Sequence, residues 1–198
     1  MPDKKAEILA AAKDLFNRQG YPKTSVDDIS QAVGMRKSSL YYYFKNKEEL
    51  FLAAFKEEWK ENLLRFESEA AKQPDPTSRM LTYIKASIKH YDDTVIKHNI
   101  SVKVLVETRN LFRLYMNEVN ADRVRFYSSC IKKGIEKGLY RECDPERVAQ
   151  SLITVKFAIQ FDYFNQFLFS APDKKDFKKI KEEILFAVGL MLDGLRVK

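Results

Sequence analysis

Three consecutive tyrosines, at positions 41–43, lie in a stretch of the sequence that carries only positive charge. From Met35 to Lys47 the charged residues are Arg36, Lys37, Lys45 and Lys47. Phenolic hydroxyls hydrogen-bond phosphate, their rings pack on sugars or thymine methyl groups, and lysine and arginine neutralise phosphate charge. This combination of residue types is typical of a surface that contacts nucleic acid.

Two short helices on either side of Gly34 would position these residues. Ser25, with Asp28 three residues later, resembles a capping box and predicts a helix that extends to Val33. A second helix is predicted from Lys37 to Phe44. Two short helices that meet at a glycine indicate a helix-turn-helix, whose second helix enters the major groove of DNA.

Helical periodicity assigns the two faces of the second helix. Successive residues are about 100° apart, so Leu40 and Phe44 share a face that we expect to pack inward. Ser38, Tyr41 and Tyr42 fall on the opposite side. Two neighbouring tyrosines outside the core need another partner, and a DNA duplex would supply one. The alternative is an aromatic-rich helix buried in a helical bundle.

The same region resembles the N-terminal signature of the TetR family of transcriptional regulators. The resemblance covers about residues 6–55 and depends on the segments 24–29, 33–35 and 40–50. It implies that DNA is contacted by Lys37, Ser38, Ser39, Tyr41, Tyr42, Tyr43 and Lys47. We add Ser25 and Arg36 to this predicted DNA-binding set.

Two parts of the segment depart from the family pattern. Arg36 stands where members often have a small polar cap, and Val26 and Asp27 stand where they often have Thr or Arg. Asp27 would repel phosphate and would accept a hydrogen bond only from a cytosine amine. We therefore expect the first helix of the motif to add few base contacts.

Composition favours an all-α fold of about nine helices. The 198 residues include 6 Gly and 6 Pro, 45% are apolar and 32% are charged, which is typical of a soluble globular protein rich in helix formers. Thr77 or Ser78 is predicted to cap the fifth helix. Breaks between helices are predicted at Gly20–Pro22, Gly34, Pro74–Pro76, His98–Asn99, Gly138, Asp144–Pro145 and Ala171–Asp173.

We predict two domains, a three-helix DNA-binding domain at residues 1–46 and a larger helical domain at residues 47–198. The resemblance implies that the larger domain binds an effector and forms a dimer. The predicted helix from Pro145 to Phe169 is apolar on two sides, so one side would pack within its own subunit and the other on a partner. The last helix, from about Lys174 to Leu195, would complete an intermolecular four-helix bundle.

A homodimer would match a palindromic operator, because paired half-sites need a two-fold axis. The alternative is a monomer in which both sides of this helix are internal. Aromatic residues from several helices predict a largely apolar effector pocket. The candidates are Phe55, Trp59, Phe66, Tyr83, Tyr91, Phe112, Tyr115, Phe126, Phe157 and Phe161. We expect a small apolar or aromatic effector that releases a repressor from DNA.

Other classes of function find little support in the sequence. No catalytic or phosphate-binding motif occurs, so we expect neither an enzyme nor a cofactor. Cys130 and Cys143 lack metal-site spacing, and His90 and His98 are more consistent with surface or capping roles than with a metal site.

Two alternatives to a ligand-responsive regulator stay open. The net charge of +7 and the basic motif would also suit a constitutive, nonspecific DNA-organising protein. The second alternative is a helical lipid carrier, which would leave Tyr41 and Tyr42 unexplained. The absence of a signal peptide and of a long apolar run favours a cytoplasmic protein without a membrane partner.

Overall fold

The computed structural model describes residues 3–98, 109–165 and 174–197, and these ranges contain eight helices. The predicted all-α class is confirmed, and the one strand-like contact in these ranges is an isolated bridge between Tyr140 and Arg196. The helices are α1 (Lys4–Lys23), α2 (Val26–Ala32), α3 (Lys37–Tyr43), α4 (Lys47–Ala71), α5 (Pro76–Lys97), α6 (Arg109–Glu136), α7 (Pro145–Asn165) and α8 (Lys174–Asp193). The predicted end of α7 near Phe169 and the break at Ala171–Asp173 lie outside the described residues.

Capping side chains fix where several helices begin. The predicted capping box of α2 is present, with Ser25 Oγ accepting a hydrogen bond from the Asp28 backbone at 3.1 Å and the Asp28 carboxylate accepting from the Ser25 backbone at 2.8 Å. At the start of α4, Asn46 Oδ1 accepts from the backbone N–H of Glu49 at 2.7 Å. These side chains satisfy backbone donors that lack partners in the first turn.

The predicted cap of α5 was wrong. Asp75, not Thr77 or Ser78, is the N-cap, and its carboxylate accepts from the backbone N–H of Ser78 at 2.9 Å. Pro76 occupies the first helical position, where no backbone donor is required. The same Asp-Pro arrangement starts α7, where Asp144 Oδ1 accepts from the Glu146 backbone at 3.0 Å, as predicted.

One hydrophobic core connects the N-terminal helices with the rest of the chain. Buried residues of α1 and α4, including Phe16, Leu50 and Phe55, belong to the same cluster as Ile84 of α5 and Leu152 of α7. The main helix pairs are α1 with α4, α4 with α5, α5 with α6, α6 with α7, and α7 with α8. Within the described ranges, no helix has the length and apolar character needed to cross a membrane.

The most deeply buried face of α7 lies between its two predicted apolar sides, of which one includes Phe157 and Phe161 and the other includes Val148, Leu152 and Ile159. The buried residues of this face are Ala149, Ile153, Lys156 and Gln160, together with Leu152 from the edge of the second side. Members of the predicted stripes, such as Phe157 and Ile159, are only partly buried. The interior face of α7 therefore includes an ammonium group and an amide.

Candidate nucleic-acid interface and interior cavity

Helix α3 exposes the side that was predicted to face away from the core. Leu40 and Phe44 are buried, whereas the side chains of Tyr41 and Tyr42 are 44% and 87% exposed. Tyr43 is partly buried, and its ring makes an edge contact with the ring of Tyr42, with 5.5 Å between centroids. The predicted inward and outward faces are confirmed, and the Tyr42 ring projects into solvent.

Basic and hydroxyl side chains flank the exposed tyrosines. Arg36 is the N-cap residue of α3, and its side chain makes no capping hydrogen bond and is exposed. Ser38, Ser39 and Lys45 are exposed as well. All four side chains can donate hydrogen bonds to phosphate oxygens, so the surface around Tyr42 has the donors that a DNA backbone requires.

An ion pair links α2 with α3 on the same side of the molecule. Lys37 Nζ lies 2.6 Å from Asp27 Oδ2, and both side chains are about half exposed. The hydrogen bond that Lys37 donates to Asp27, together with the negative charge of Asp27, raises the pKa of Lys37. The Asp27 carboxylate, which the sequence analysis expected to repel phosphate, is thus partly neutralised by a neighbouring lysine.

Lys47 is held at the first turn of α4 by an aromatic ring. Its Nζ lies 4.1 Å from the ring centroid of Tyr21, and the Tyr21 hydroxyl donates a hydrogen bond to Glu48 Oε1 at 2.7 Å. Partial burial lowers the pKa of Lys47. The ammonium group therefore has a fixed position beside the backbone N–H groups of the α4 N-terminus, where anions are favoured.

Ser25 has a structural role within its own helix. Its hydroxyl donates to Asp28 Oδ2 at 2.7 Å and also accepts the capping hydrogen bond. These hydrogen bonds, with that from the Ser25 backbone, lower the pKa of Asp28. The hydroxyl of Ser25 is thus already engaged, and its contact with DNA stays a prediction.

A cavity lies between α5, α6 and α7. Its enclosed space is small, about 10 Å³, which is room for about one water molecule, and the figure rises to about 270 Å³ when the opening to solvent is included. A larger ligand can therefore enter only if the surrounding helices move apart. Among the predicted effector-binding residues, Tyr83 and Phe157 line it. The other lining residues are Ile84 and Ser87 of α5, Arg123 and Tyr127 of α6, and Leu152, Ile153 and Lys156 of α7.

The other aromatic candidates occupy different places. Phe126 stacks on Tyr83 with 4.6 Å between ring centroids, and Phe66 contacts the same ring at 5.8 Å, so both support the cavity wall. Phe55 is buried beneath α1, 6.4 Å from the Phe16 ring centroid. Trp59, Tyr91 and Phe161 are partly buried. The side chains of Phe112 and Tyr115 lie outside the described part of the chain.

Two cations line the cavity, and the sequence analysis did not identify either of them. Lys156 Nζ lies 4.4 Å from the ring centroid of Phe157, and Arg123 Cζ lies 5.4 Å from the same centroid. The positive charge of Arg123 also acts on Tyr83, whose pKa is raised by burial. Burial, with a contribution from the charge of Arg123, lowers the pKa of Lys156 to about 7. The spacing of Ala149, Leu152 and Lys156 places the lysine on the buried helix face, and this signal was available in the sequence.

The end of α5 contacts α1 and α4 directly. His98 is the C-cap of α5, but it is buried rather than at the surface, with an exposed fraction of 2%. Its Nδ1 lies 3.3 Å from the carbonyl oxygen of Phe16, and its own carbonyl accepts from the backbone N–H of Tyr21 at 2.8 Å. The rings of Phe51 and Phe55 pack against the imidazole. Burial lowers the pKa of His98, and no cluster of three potential metal ligands occurs among the described residues.

Comparison with known proteins assigns these features to a family. The model of bacterial regulatory proteins of the tetR family matches residues 8–54. The chain is 29% identical to the uncharacterized HTH-type transcriptional regulator YhgD of Bacillus subtilis over 169 residues, or 83% of this chain and 86% of that protein. It is 26% identical to the fatty acid metabolism regulator protein of the same organism over 150 residues, or 74% and 76% of the two chains.

The fold is shared over almost the whole length of a solved structure. A transcriptional regulator from Cytophaga hutchinsonii superposes with a TM-score of 0.75 and 23% identity, covering 98% of this chain and 100% of that one. The family match thus includes α2, α3 and the start of α4, and the fold match includes the helices that enclose the cavity. Residues 8–54 are thus the N-terminal part of a regulator of the bacterial tetR family, and the chain as a whole has the fold of a solved transcriptional regulator.

Proposed function

We propose that this regulator is a homodimeric repressor that binds a palindromic operator through α2 and α3 and is released when a small effector enters the cavity between α5, α6 and α7. Residues 1–46 would act as the DNA-binding domain and residues 47–198 as the effector-binding and dimerisation domain. The observation that carries the proposal is the exposed side of α3, where Tyr41 and Tyr42 lie in solvent beside basic side chains.

The residues around α3 would have different roles in DNA recognition, some contacting bases and others contacting backbone phosphates. Tyr42 is the most exposed of the three tyrosines and would reach base edges or thymine methyl groups in the major groove. Arg36, Ser39 and Lys47 would bind backbone phosphates and fix the orientation of the helix. Lys37 would exchange its ion pair with Asp27 for a phosphate at little cost, since exposed ion pairs contribute about 0 to 1 kcal/mol.

A second copy of the chain would cover the exposed apolar part of α8. Phe186 and Leu190 are one turn apart on this helix and are 64% and 59% exposed. Between them along the helix, Gly189 has open space where a Cβ would lie, so another helix can approach closely. Two α8 helices and their neighbouring α7 helices would form a four-helix bundle, which places the two α3 helices around a two-fold axis.

Helix α5 offers the most direct path from the cavity to DNA. Tyr83 and Ser87 line the cavity, and His98 at the end of the same helix is hydrogen-bonded to α1. Ser87 and His98 are separated by about 17 Å along the helix axis. A ligand that displaced α5 would move α1 and α3 with it and change the spacing of the two recognition helices, which must match successive major grooves.

Selection of binding sites from random DNA tests this proposal. The purified protein is incubated with a random duplex library at about physiological salt, and the enriched sequences are then titrated against scrambled duplexes. We expect an enriched palindrome bound at least about a thousandfold more tightly than scrambled DNA. Binding with a steep salt dependence but no enriched sequence would instead support a constitutive DNA-organising protein and overturn the proposed function.

A further inference from the structure

We propose that the effector is an amphiphilic monocarboxylate, whose carboxylate lies between Lys156 and Arg123 and whose apolar tail packs against Ile84, Leu152 and Ile153. This inference deepens the proposed function and rests on it, because it assumes that the cavity is where the effector binds. It adds a negatively charged group to the apolar or aromatic effector that the sequence suggested.

Lys156 is the first observation behind this assignment. Its side chain is 8% exposed, and among the described residues no carboxylate forms an ion pair with it. Its ammonium group lies over the face of the Phe157 ring. Burial of an ammonium group without a paired anion is unfavourable, and a protein that needed only packing at this position would use an apolar residue.

Arg123 places a second positive charge beside the first. Both cations lie over the ring of Phe157, and the charge of Arg123 contributes to the lowered pKa of Lys156. Arg123 also acts electrostatically on the Tyr83 side chain, which lines the same cavity. Two cations that are held together against their repulsion form a site that attracts an anion, and a planar guanidinium fits a carboxylate in two parallel hydrogen bonds.

Among the described residues, the two carboxyl groups that act on this site have raised pKa values. Asp92 of α5 is the acidic residue that acts on Lys156, and burial raises the pKa of Asp92 to about 7. Asp92 is therefore partly protonated at neutral pH and also interacts with Lys181 of α8. Glu67 of α4 acts on Tyr83, and burial raises its pKa as well. A bound carboxylate would lie beside both basic groups and would favour the protonated form of Lys156.

The rest of the cavity surface indicates the chemistry of the part of the ligand that carries no charge. Ile84, Leu152 and Ile153 present hydrocarbon, and they favour a tail that has no charge of its own. One turn beyond Lys156 on α7, Gln160 is buried, and its Oε1 has no hydrogen-bond partner. The buried face of α7 thus contains a hydrogen-bond acceptor that the described side chains leave unpaired, as is expected at a binding site.

Calorimetric titration with matched ligands tests the assignment. Hexanoate, octanoate and decanoate, below their micelle concentrations, are compared with 1-octanol, which has the same tail as octanoate and no charge. We expect at least one carboxylate to bind, and octanoate to bind the parent about 10 to 100 times more tightly than 1-octanol, because the difference measures charge-assisted hydrogen bonds.

Two variants decide whether the cavity cations are responsible. Lys156→Met removes one of the two charges and keeps a side chain of similar length, so it should sharply reduce the preference for octanoate and still bind 1-octanol. Lys85→Met removes an exposed lysine from α5 and should behave like the parent. The assignment is overturned if no carboxylate binds, if octanoate and 1-octanol bind equally, or if Lys156→Met keeps the preference.

The failure of this assignment can be distinguished from failure of the proposed function. The titrations contain no DNA, so they report on the ligand alone. A protein that selects an operator but ignores all three carboxylates would contradict only the chemistry of the effector. A protein that prefers octanoate but enriches no DNA sequence would keep the carboxylate site and lose the role in transcription.

Discussion

The outer face of α3 and the buried face of α7 each contain a residue type that usually occurs on the other side of a helix. Tyr42 exposes a large ring to solvent, and Lys156 holds an ammonium group in the interior. Neither arrangement improves stability, since the ring gains little burial and the buried charge is costly. Both therefore point to contacts with another molecule, one on the surface and one within the cavity.

The two regions differ in what a mutation should affect. An exposed side chain of the DNA-binding face can be removed with little change in folding, and the loss should be limited to DNA affinity. A buried cation affects folding and ligand binding together, in opposite directions. The following variants test this difference, beginning with the largest expected effect.

The Lys156→Met variant should be more stable than the parent. Because burial lowers the pKa of Lys156 to about 7, the folded state binds this proton less tightly than the unfolded chain, in which lysine has its ordinary value of about 10.4. The resulting cost in folding free energy is fully present below about pH 7. We expect the variant to gain about 2 to 4 kcal/mol in free energy of unfolding at pH 6, measured by urea denaturation.

The pH dependence of this gain in stability tests whether the buried charge of Lys156 causes it. As the pH rises from 7 towards 9, the parent loses the penalty, so the advantage of Lys156→Met should shrink by about 1.4 kcal/mol per pH unit. Lys85→Met provides the control, since this lysine is exposed. A Lys156→Met variant that is less stable than the parent at pH 6 would show that the ammonium group is structurally required.

The Tyr42→Ala variant should show the opposite behaviour. Its free energy of unfolding should stay within about 0.5 kcal/mol of the parent, because the ring is exposed. Its affinity for the selected operator should fall by about 1 to 3 kcal/mol if the ring contacts bases. Tyr42→Phe separates the ring from its hydroxyl. Unchanged operator affinity in both variants would remove Tyr42 from the recognition surface.

The Gly20→Ala variant tests the connection between the two regions. Gly20 has φ 79° and ψ 165°, and a Cβ at this position would lie 3.1 Å from the carbonyl oxygen of His98. The strain should cost about 1 to 2 kcal/mol of stability. Gly34→Ala is the matched control, because Gly34 also has a positive φ but open space around its Cβ.

Gly20→Ala should alter the response of DNA binding to the effector, whereas Gly34→Ala should not. Operator titrations with and without octanoate measure this difference. If the two variants respond alike, the contact between α1 and His98 does not transmit the signal, and the path along α5 is wrong.

The Asp27→Asn variant should have the smallest effect. It removes a negative charge from α2 and releases Lys37 from its ion pair. Exposed pairs contribute little to folding, so stability should change by less than about 0.5 kcal/mol. Affinity for all DNA sequences should rise modestly, because Lys37 no longer gives up an ion pair when it binds phosphate. Unchanged affinity for both the operator and scrambled duplexes would mean that Lys37 does not reach phosphate.

The sequence predicted those features that depend on local signals, namely helical periodicity and helix caps. The orientation of α3 followed from the positions of Leu40 and Phe44, and the start of α2 followed from Ser25 and Asp28. The interior was harder to predict because aromatic side chains serve equally as core and as pocket wall. Phe55, Phe66 and Tyr83 are all large aromatic residues in predicted helices, so the sequence does not show which of them lines a pocket. Only their neighbours in the folded chain distinguish them.

The cavity cations show a second limit of pattern analysis. A search for apolar stripes in α7 identified Phe157 and passed over Lys156, because a charged residue is assumed to face solvent. The position of Lys156, four residues after Leu152, placed it on the buried face. Its partner Arg123 belongs to a different helix, and no spacing within the sequence relates the two residues.

The effect of the effector on operator affinity tests the account most directly. The dissociation constant of the selected operator is measured at fixed salt, with and without saturating octanoate, for the parent and for Lys156→Met. The account predicts that octanoate weakens operator binding by the parent about 10- to 100-fold, or roughly 1.4 to 2.7 kcal/mol of coupling, and leaves Lys156→Met unchanged. Equal operator affinity with and without octanoate in the parent, despite octanoate binding, would contradict it.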